Sequence, residues 1–152
     1  MQKSLKELAI TLCVVVFVGC TSIKVQPLKY DPELKEINLL DNPKVIVEDF
    51  VPVMEQHFSK HGLALKRVPQ FAQLNENEYG IRYSARRSWD FATYLSLAYV
   101  NIYKGNKLVA EGNYHLIGGG GFSLFKWQGT ETKLAPMYDE LLKNYPTKYK
   151  PE

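Results

Sequence analysis

Cysteine is almost absent from this chain of 152 residues. Its two cysteines, Cys13 and Cys20, both lie near the N-terminus. The chain beyond Cys20 therefore has no thiol, which excludes a disulfide, a cysteine nucleophile and a thiolate metal site from that part. Its core must be held together by packing alone, and an aromatic content of 12% supplies bulky side chains for this.

A strong charge of either sign is also lacking. The formal net charge is +3, and the basic residues are scattered along the chain. Nucleic-acid-binding proteins carry a basic patch or stripe, so we expect no nucleic-acid partner. The chain also lacks a Gly-x-Ser-x-Gly elbow, and it places its acids mainly on predicted helices and loops. We therefore expect a non-enzymatic protein that binds no cofactor.

The apolar run near the N-terminus is too short for a permanent membrane span. Lys3 and Lys6 precede it, and the uncharged stretch covers only residues 8–23, whereas a spanning helix needs ~20 apolar residues. A basic start, an apolar middle and a small residue at the exit, here Gly19, are the parts of an export signal. Residues 1–19 are therefore predicted to be a signal peptide that is removed.

The residues at the end of this run are Phe17, Val18, Gly19 and Cys20, and they resemble the lipobox of bacterial lipoproteins. The resemblance implies a diacylglycerol on the Cys20 thiol, cleavage just before Cys20, and a further acyl chain such as palmitate on the new N-terminus. Two or three chains anchor a protein stably, whereas one binds only marginally. The alternative is an ordinary secretory signal with an incidental cysteine.

The residue after the lipidated cysteine influences the destination of such lipoproteins. In Gram-negative bacteria an Asp there favours retention in the inner membrane, and this chain has Thr21. If the source has two membranes, the resemblance implies the outer membrane, at its periplasmic face.

The remaining chain is predicted to be one α+β domain between two less ordered segments. Residues 20–36 contain two prolines among polar residues and are predicted to be a tether. Residues 37–145 form the domain, and residues 146–152 are expected to be a disordered tail.

Two helices and several strands are expected within the domain. Asn42 and Pro43 predict the start of a first helix, which Gly62 closes and Pro52 kinks. A second helix starts near Thr130 or Thr132. The expected strands begin with a short one over residues 37–40, followed by residues 63–68, 79–85, 92–103 and 108–117.

Short turns between most of these strands, including a hairpin turn at residues 104–107, indicate an antiparallel meander. The strand over residues 92–103 is apolar on both faces, so we expect it to be central and covered on both sides. The predicted fold class is α+β: an antiparallel four- to five-stranded sheet with two helices packed on one face, a two-layer sandwich.

The candidate binding surface consists of aromatic and charged residues near two loops. Arg87, Trp89 and Asp90 lie at a strand exit, and Phe122 and Trp127 follow a run of glycines at residues 118–121. These side chains suit a protein partner or a stacked glycan. The alternative is a plain turn in which Asp90 caps the backbone and pairs with an arginine.

The glycine run itself does not match a phosphate loop. Such a loop needs Lys and Ser or Thr directly after its last glycine, and here Phe122 follows. A flexible connection between sheet and helix and a mobile binding flap both remain open.

The spacing of His57 and His61 can place two imidazoles on one metal ion. Phe58 stands where a metalloprotease helix has Glu, and no third ligand presents itself. The third imidazole, His115, is expected to pack or to face solvent. No metal is predicted.

Four stretches together resemble a known family: residues 20–24 (CTSIK), 42–47 (NPKVIV), 87–91 (RSWDF) and 120–130 (GGFSLFKWQGT). The family is the Sbal-type family of small proteobacterial lipoproteins, and the resemblance implies export and lipidation but no catalytic residues. The sequence thus predicts a lipid-anchored envelope lipoprotein that serves protein interaction or envelope assembly in the periplasm. The alternative is a glycan- or peptidoglycan-binding lipoprotein that uses Trp89 and Trp127.

Overall fold

The computed structural model describes residues 21–117 and 124–148. This part of the chain is α+β and contains six strands and two α-helices. The strands are β1 (Thr21–Gln26), β2 (Glu36–Leu40), β3 (Ala64–Val68), β4 (Tyr79–Asp90), β5 (Ala92–Lys104) and β6 (Lys107–Leu116). The helices are α1 (Phe50–Lys60) and α2 (Thr130–Leu141), with a 3₁₀ helix (Leu124–Trp127) before α2.

All six strands belong to one mixed sheet in the order β1-β6-β5-β4-β2-β3. The first four strands in this order are antiparallel neighbours, whereas β2 runs parallel to both β3 and β4. The prediction of a purely antiparallel sheet with four to five strands was wrong on both points. The parallel pair arises because α1 connects β2 to β3, and a crossover of this kind returns the chain to the end of the sheet from which it started.

The edge strand β1 accounts for the additional strand. Thr21 pairs with Leu116 and Gln26 with Glu111, so residues 21–26 belong to the sheet rather than to the tether that the sequence predicts. The chain that follows is also fixed, because Leu28 is buried and its N–H donates to the carbonyl of Leu141 (2.9 Å). The ordered domain therefore begins no later than residue 21.

Both helices lie on the same face of the sheet. Tyr83, Val100 and Gly112 are partners in register on β4, β5 and β6, so they share a face. The ring of Phe50 on α1 stacks on Tyr83, with the centroids 5.7 Å apart. A Cβ on Gly112 would lie 3.0 Å from Cγ of Met137 on α2, so a glycine allows this helix to approach β6 closely. We call this face the covered face and the opposite one the open face.

The first helix begins later than the sequence predicts. Its first residue is Phe50 rather than one near Pro43, so Pro52 lies in the first turn. The N–H groups of the first turn have no carbonyl partner within the helix, so a proline there removes no hydrogen bond. The kink that was expected at Pro52 therefore has no cause. Gly62 follows the helix with a φ of 74°, as expected for a residue that closes one.

Two tight turns join the long antiparallel strands. Gly105, with a φ of 56°, forms the predicted turn between β5 and β6. The turn between β4 and β5 is centred on Phe91, whose φ of 58° is uncommon for any residue other than glycine. Leu97 and Tyr99 of β5 are half-buried on the open face, where no described helix packs. The described helices thus cover one side of this strand, and the other side is half-buried rather than fully covered as predicted.

The last described residues pack against α1. The N–H of Lys148 donates to the carbonyl of Lys60 (2.8 Å), and Tyr145 is buried, so residues 146–148 are attached to the domain although the sequence predicts a tail there. Residues 1–20 with the predicted signal peptide and Cys20, residues 118–123 with Phe122 and the glycine run, and residues 149–152 lie outside the described part. Of the described helices, none combines the length and the apolar character that crossing a membrane requires.

Candidate functional site

The open face is a polar and aromatic surface built from the alternate residues of four strands. Residues in register form rows across β4, β5 and β6, and the outer strand β1 continues each row. The three rows are Arg86, Leu97, His115 and Ser22; Ser84, Tyr99, Asn113 and Lys24; and Arg82, Asn101, Glu111 and Gln26. Basic side chains outnumber acidic ones in these rows, so the face favours a partner with negative charge.

A first groove of about 650 Å³ lies at one side of the open face. The loop between β3 and β4 forms one wall with Phe71 and Leu74, and Arg82 and Tyr99 form the floor. This loop rests on the sheet because Gly80 has no side chain: a Cβ there would lie 2.4 Å from a methyl of Leu74. The groove thus combines two aromatic rings with a guanidinium group.

A second groove of about 240 Å³ lies between β5, β6 and β1. Lys24, Leu97, Asn113 and His115 line it, and Tyr99 lines both grooves. Tyr99 is half-buried, so part of it remains accessible beside the two grooves. It is the residue at which the grooves adjoin.

The carbonyl of a side-chain amide lies unused under this surface. Oδ1 of Asn101 is buried and has no hydrogen-bond partner among the described residues. On the same strand, Tyr103 lies under the guanidinium of Arg82, which is 5.4 Å from the ring centroid. A ring with a stacked cation suits a ligand that binds by stacking. Oδ1 of Asn101 is enclosed, so a ligand reaches it only if the side chain moves.

The residues predicted as a binding surface separate into two groups. Trp127 and Asp90 come together, because the indole N–H of Trp127 donates to the Asp90 carbonyl (3.2 Å). Arg87 instead reaches Asp49 on the approach to α1, with 3.5 Å between the guanidinium and the carboxylate. Trp89 is 73% exposed. The expectation that Asp90 pairs with an arginine was wrong, because Asp90 binds the ammonium group of Lys126.

Exposed aromatic side chains lie around the turn between β4 and β5. Phe91, at the centre of the turn, is 89% exposed, and Phe125 and Trp127 on the 3₁₀ helix are 51% and 38% exposed. We define the aromatic tip as Trp89, Phe91, Phe125 and Trp127. Trp89 lies at the end of β4 and Phe91 in the turn that follows, whereas Phe125 and Trp127 lie on the 3₁₀ helix. Because Trp127 bonds to Asp90 beside the turn, the four residues lie at one end of the molecule.

Two buried lysines support the aromatic tip, and the sequence analysis missed both. Lys126 binds Asp90 and lies 4.5 Å from the ring centroid of Trp127. Lys133 donates to the carbonyls of Leu95 (3.0 Å) and Lys126. Burial lowers the pKa of Lys133 to about 8. Lysine is mostly a surface residue, so no pattern in the sequence indicates this arrangement.

The two histidines considered for a metal do not share a site. Nε2 of His57 contacts Oε1 of Glu131 (3.0 Å), whereas Nδ1 of His61 contacts the carbonyl of Tyr145 (2.8 Å). Burial lowers the pKa of His57, against the opposing attraction of Glu131, so its neutral imidazole donates to the carboxylate at neutral pH. Within residues 21–117 and 124–148, no three potential metal ligands of the His, Cys, Asp and Glu types gather.

The same contact between the helices contains two polar atoms without partners. The imidazole of His57 stacks on the ring of Tyr138 with the centroids 4.9 Å apart. The hydroxyl of Tyr138 and Oε2 of Glu131 are buried, and neither has a hydrogen-bond partner in the described part. Burial, and then the charge of Glu131, raises the pKa of Tyr138. The cluster links the two helices, with His57 and Tyr138 buried and the side chain of Glu131 44% exposed at its edge.

Comparisons of the chain with protein-family models, with curated proteins and with solved structures gave no match.

Proposed function

We propose that this chain is a non-enzymatic lipoprotein of the cell envelope whose open face binds an envelope protein. The observation that carries the proposal is the open face itself, where Tyr99 joins two grooves on a surface that no described helix covers. The half-buried Leu97 and Tyr99 form an apolar centre within a polar rim, which is the usual anatomy of a protein interface.

The proposed anchor is a lipid on Cys20, at the periplasmic face of the outer membrane. It rests on the resemblance of residues 17–20 to a lipobox and on Thr21 in place of Asp. β1 starts at Thr21, so a lipid on Cys20 would be attached directly to the sheet. Intact mass of the protein from membranes tests this proposal: we expect loss of residues 1–19 and gain of acyl groups, and Cys20→Ala should abolish both.

Photo-crosslinking in the intact cell tests the proposed partner. A photoreactive residue at position 99 should capture one discrete envelope protein. The matched control is position 140 on the exposed side of α2, because Glu140 faces solvent on the opposite side of the molecule. Capture at neither position, or the same products at both, would contradict a partner on the open face.

A glycan is the second candidate, favoured by the rings of Phe71 and Tyr99 beside the guanidinium of Arg82 in the first groove. Sugar rings stack on aromatic faces and bond to charged side chains. Calorimetric titration with muropeptides should give heat that Tyr99→Ala abolishes. Binding that instead changes tryptophan fluorescence would place the glycan at Trp89 and Trp127, which lie in the aromatic tip.

A further inference from the structure

The aromatic tip and Thr21, the first described residue, lie at the same end of the sheet. Leu97 is in register with His115, and His115 with Ser22, so these residues form one row across the strands. Beyond this row the described part of β1 adds Thr21, whereas the β4–β5 hairpin continues through four further pairs. These pairs are Arg87–Leu95, Ser88–Tyr94, Trp89–Thr93 and Asp90–Ala92.

The hairpin therefore projects farther than the attachment point of the proposed anchor. With a rise of ~3.4 Å per strand residue, it extends beyond Thr21 by roughly 10 Å. Amphipathic elements that lie in a membrane interface bury their apolar side chains by about 5–10 Å, at the boundary between headgroups and acyl chains. A domain held at Cys20 would thus bring the tip to this depth.

The composition of the tip suits this location. Two of its four residues are tryptophans, and they are the only two tryptophans in the chain. Indole rings prefer the membrane–water interface because their apolar body and polar N–H match its two sides. The carboxylate of Asp90 is bound by Lys126, and that of Asp49 pairs with Arg87, so the nearest acids are neutralised.

The ring of Trp127 and the chain around Asp90 are held by contacts within the domain. Lys126 joins the 3₁₀ helix to Asp90, and the indole of Trp127 is bonded to the Asp90 carbonyl. Lys133 connects α2 to Leu95 at the base of the hairpin. A ring that is already held, as that of Trp127 is, loses little conformational entropy when it enters an apolar environment.

We propose that the aromatic tip inserts into the interface of the bilayer that anchors Cys20, giving the domain a second attachment and a fixed orientation. This inference rests on the proposed lipid anchor. It places the strands across the membrane plane, with the β5–β6 turn at Gly105 farthest from the lipid. Because Gly105 and Asn106 line the first groove, that groove would face the aqueous compartment, where an envelope partner can reach it.

Tryptophan fluorescence of the full protein in vesicles tests the proposal, because both indoles lie in the tip. The protein purified from membranes is reconstituted in phosphatidylethanolamine and phosphatidylglycerol vesicles whose acyl chains carry bromine near the headgroups. Bromine quenches indoles that it approaches, so we expect strong quenching and a blue-shifted emission maximum. The intact mass of the same preparation reports the lipid on Cys20 independently.

Phe91→Asn is the most informative variant. Asn accepts a positive φ more readily than Phe, so this change removes a ring and leaves the turn at least as stable. In Trp89→Ser/Phe91→Asn the remaining indole, Trp127, should lose most of its quenching. Phe71→Ser is the matched control, since Phe71 is 87% exposed on a loop outside the tip, and it should leave the quenching unchanged.

The outcomes separate the insertion of the aromatic tip from the lipid anchor on Cys20. A lipid-bearing protein without quenching, as a tip covered by a protein or a glycan would give, overturns insertion and leaves the anchor standing. Quenching of a protein without lipid overturns the anchor and the depth derived from it, because the tip would then bind the bilayer unaided. A protein that shows neither overturns both.

Discussion

The covered and open faces of the sheet place residues of opposite character side by side on one strand. Val100 and Ile102 of β5 are completely buried under the helices, whereas Tyr99 and Asn101 are half-buried on the other side. Side chains alternate between the faces of a strand, so neighbouring residues are expected to serve different purposes. The covered face holds the fold together, and the open face is the surface that we propose for binding.

The largest contrast in stability is expected between Phe58 and Tyr99. Phe58 is completely buried on α1 and packs against Tyr138, with the ring centroids 6.3 Å apart. Phe58→Ala should lower the free energy of unfolding by about 3–5 kcal/mol because it leaves a cavity. Tyr99→Ala should cost less than about 1 kcal/mol, as a partly exposed residue does. Urea denaturation measures both, and equal losses would show that the open face is also part of the core.

The close approach of α2 to β6 gives the next largest effect. Gly112→Val would place its side chain against Met137, whose Cγ lies 3.0 Å from the Cβ position, and overpacking of this kind costs about 1–3 kcal/mol. Gly129→Val is the control, because nothing lies within 4 Å of its Cβ position. Thermal unfolding should separate the two variants. If they melt together, α2 does not constrain position 112.

The covered face was far easier to predict from the sequence than the open one. The helical spacing of residues such as Met54, Phe58, Leu134 and Met137 indicates their burial directly, and all four are completely buried. Periodicity identifies the faces of elements that bury one side. It does not reveal which strands pair, so the place of β2 between β3 and β4 was missed.

The first strand and the candidate surfaces were missed for physical reasons as well. Ile23 and Val25 alternate with polar residues, but they belong to a six-residue edge strand whose burial pattern is weak. The open face depends on register across four strands, and the support of Asp90 by Lys126 depends on a contact between residues 36 apart in the chain. Such contacts follow from topology, and local propensity carries no information about them.

The pH dependence of the free energy of unfolding distinguishes a buried lysine, Lys133 on α2, from an exposed one. Burial lowers the pKa of Lys133 to about 8 from its ordinary value of 10.5. Between these pH values the unfolded chain binds a proton that the folded protein lacks, so stability rises with pH. Relative to Lys133→Met, the wild type should gain up to ~1.4 kcal/mol per pH unit over this range. Urea denaturation at pH 7, 8, 9 and 10 measures the difference.

Lys24→Met on the open face is the control for the loss of one positive charge, since Lys24 is exposed. The same pH dependence for both variants would mean that burial of Lys133 is not its cause. A difference between wild type and Lys133→Met that is constant with pH would show that the carbonyls of Leu95 and Lys126 keep the amine protonated.

The smallest expected effect concerns the hydroxyl of Tyr138, and its sign is what matters. This hydroxyl is buried without a hydrogen-bond partner among the described residues, so Tyr138→Phe removes a desolvated polar group at no loss of a bond. The free energy of unfolding should stay unchanged or rise by up to about 1 kcal/mol.

The control is Tyr145→Phe, since the hydroxyl of Tyr145 donates to the Lys29 carbonyl (3.2 Å) and accepts from the Asp31 N–H (3.0 Å). It should lose about 0.5–1.5 kcal/mol. If both variants lose stability equally, the Tyr138 hydroxyl has an acceptor, for which Oε2 of Glu131, also buried without a partner among the described residues, is the candidate. The contact between the helices would then be a closed polar network, and the covered face would owe part of its stability to hydrogen bonds as well as to packing.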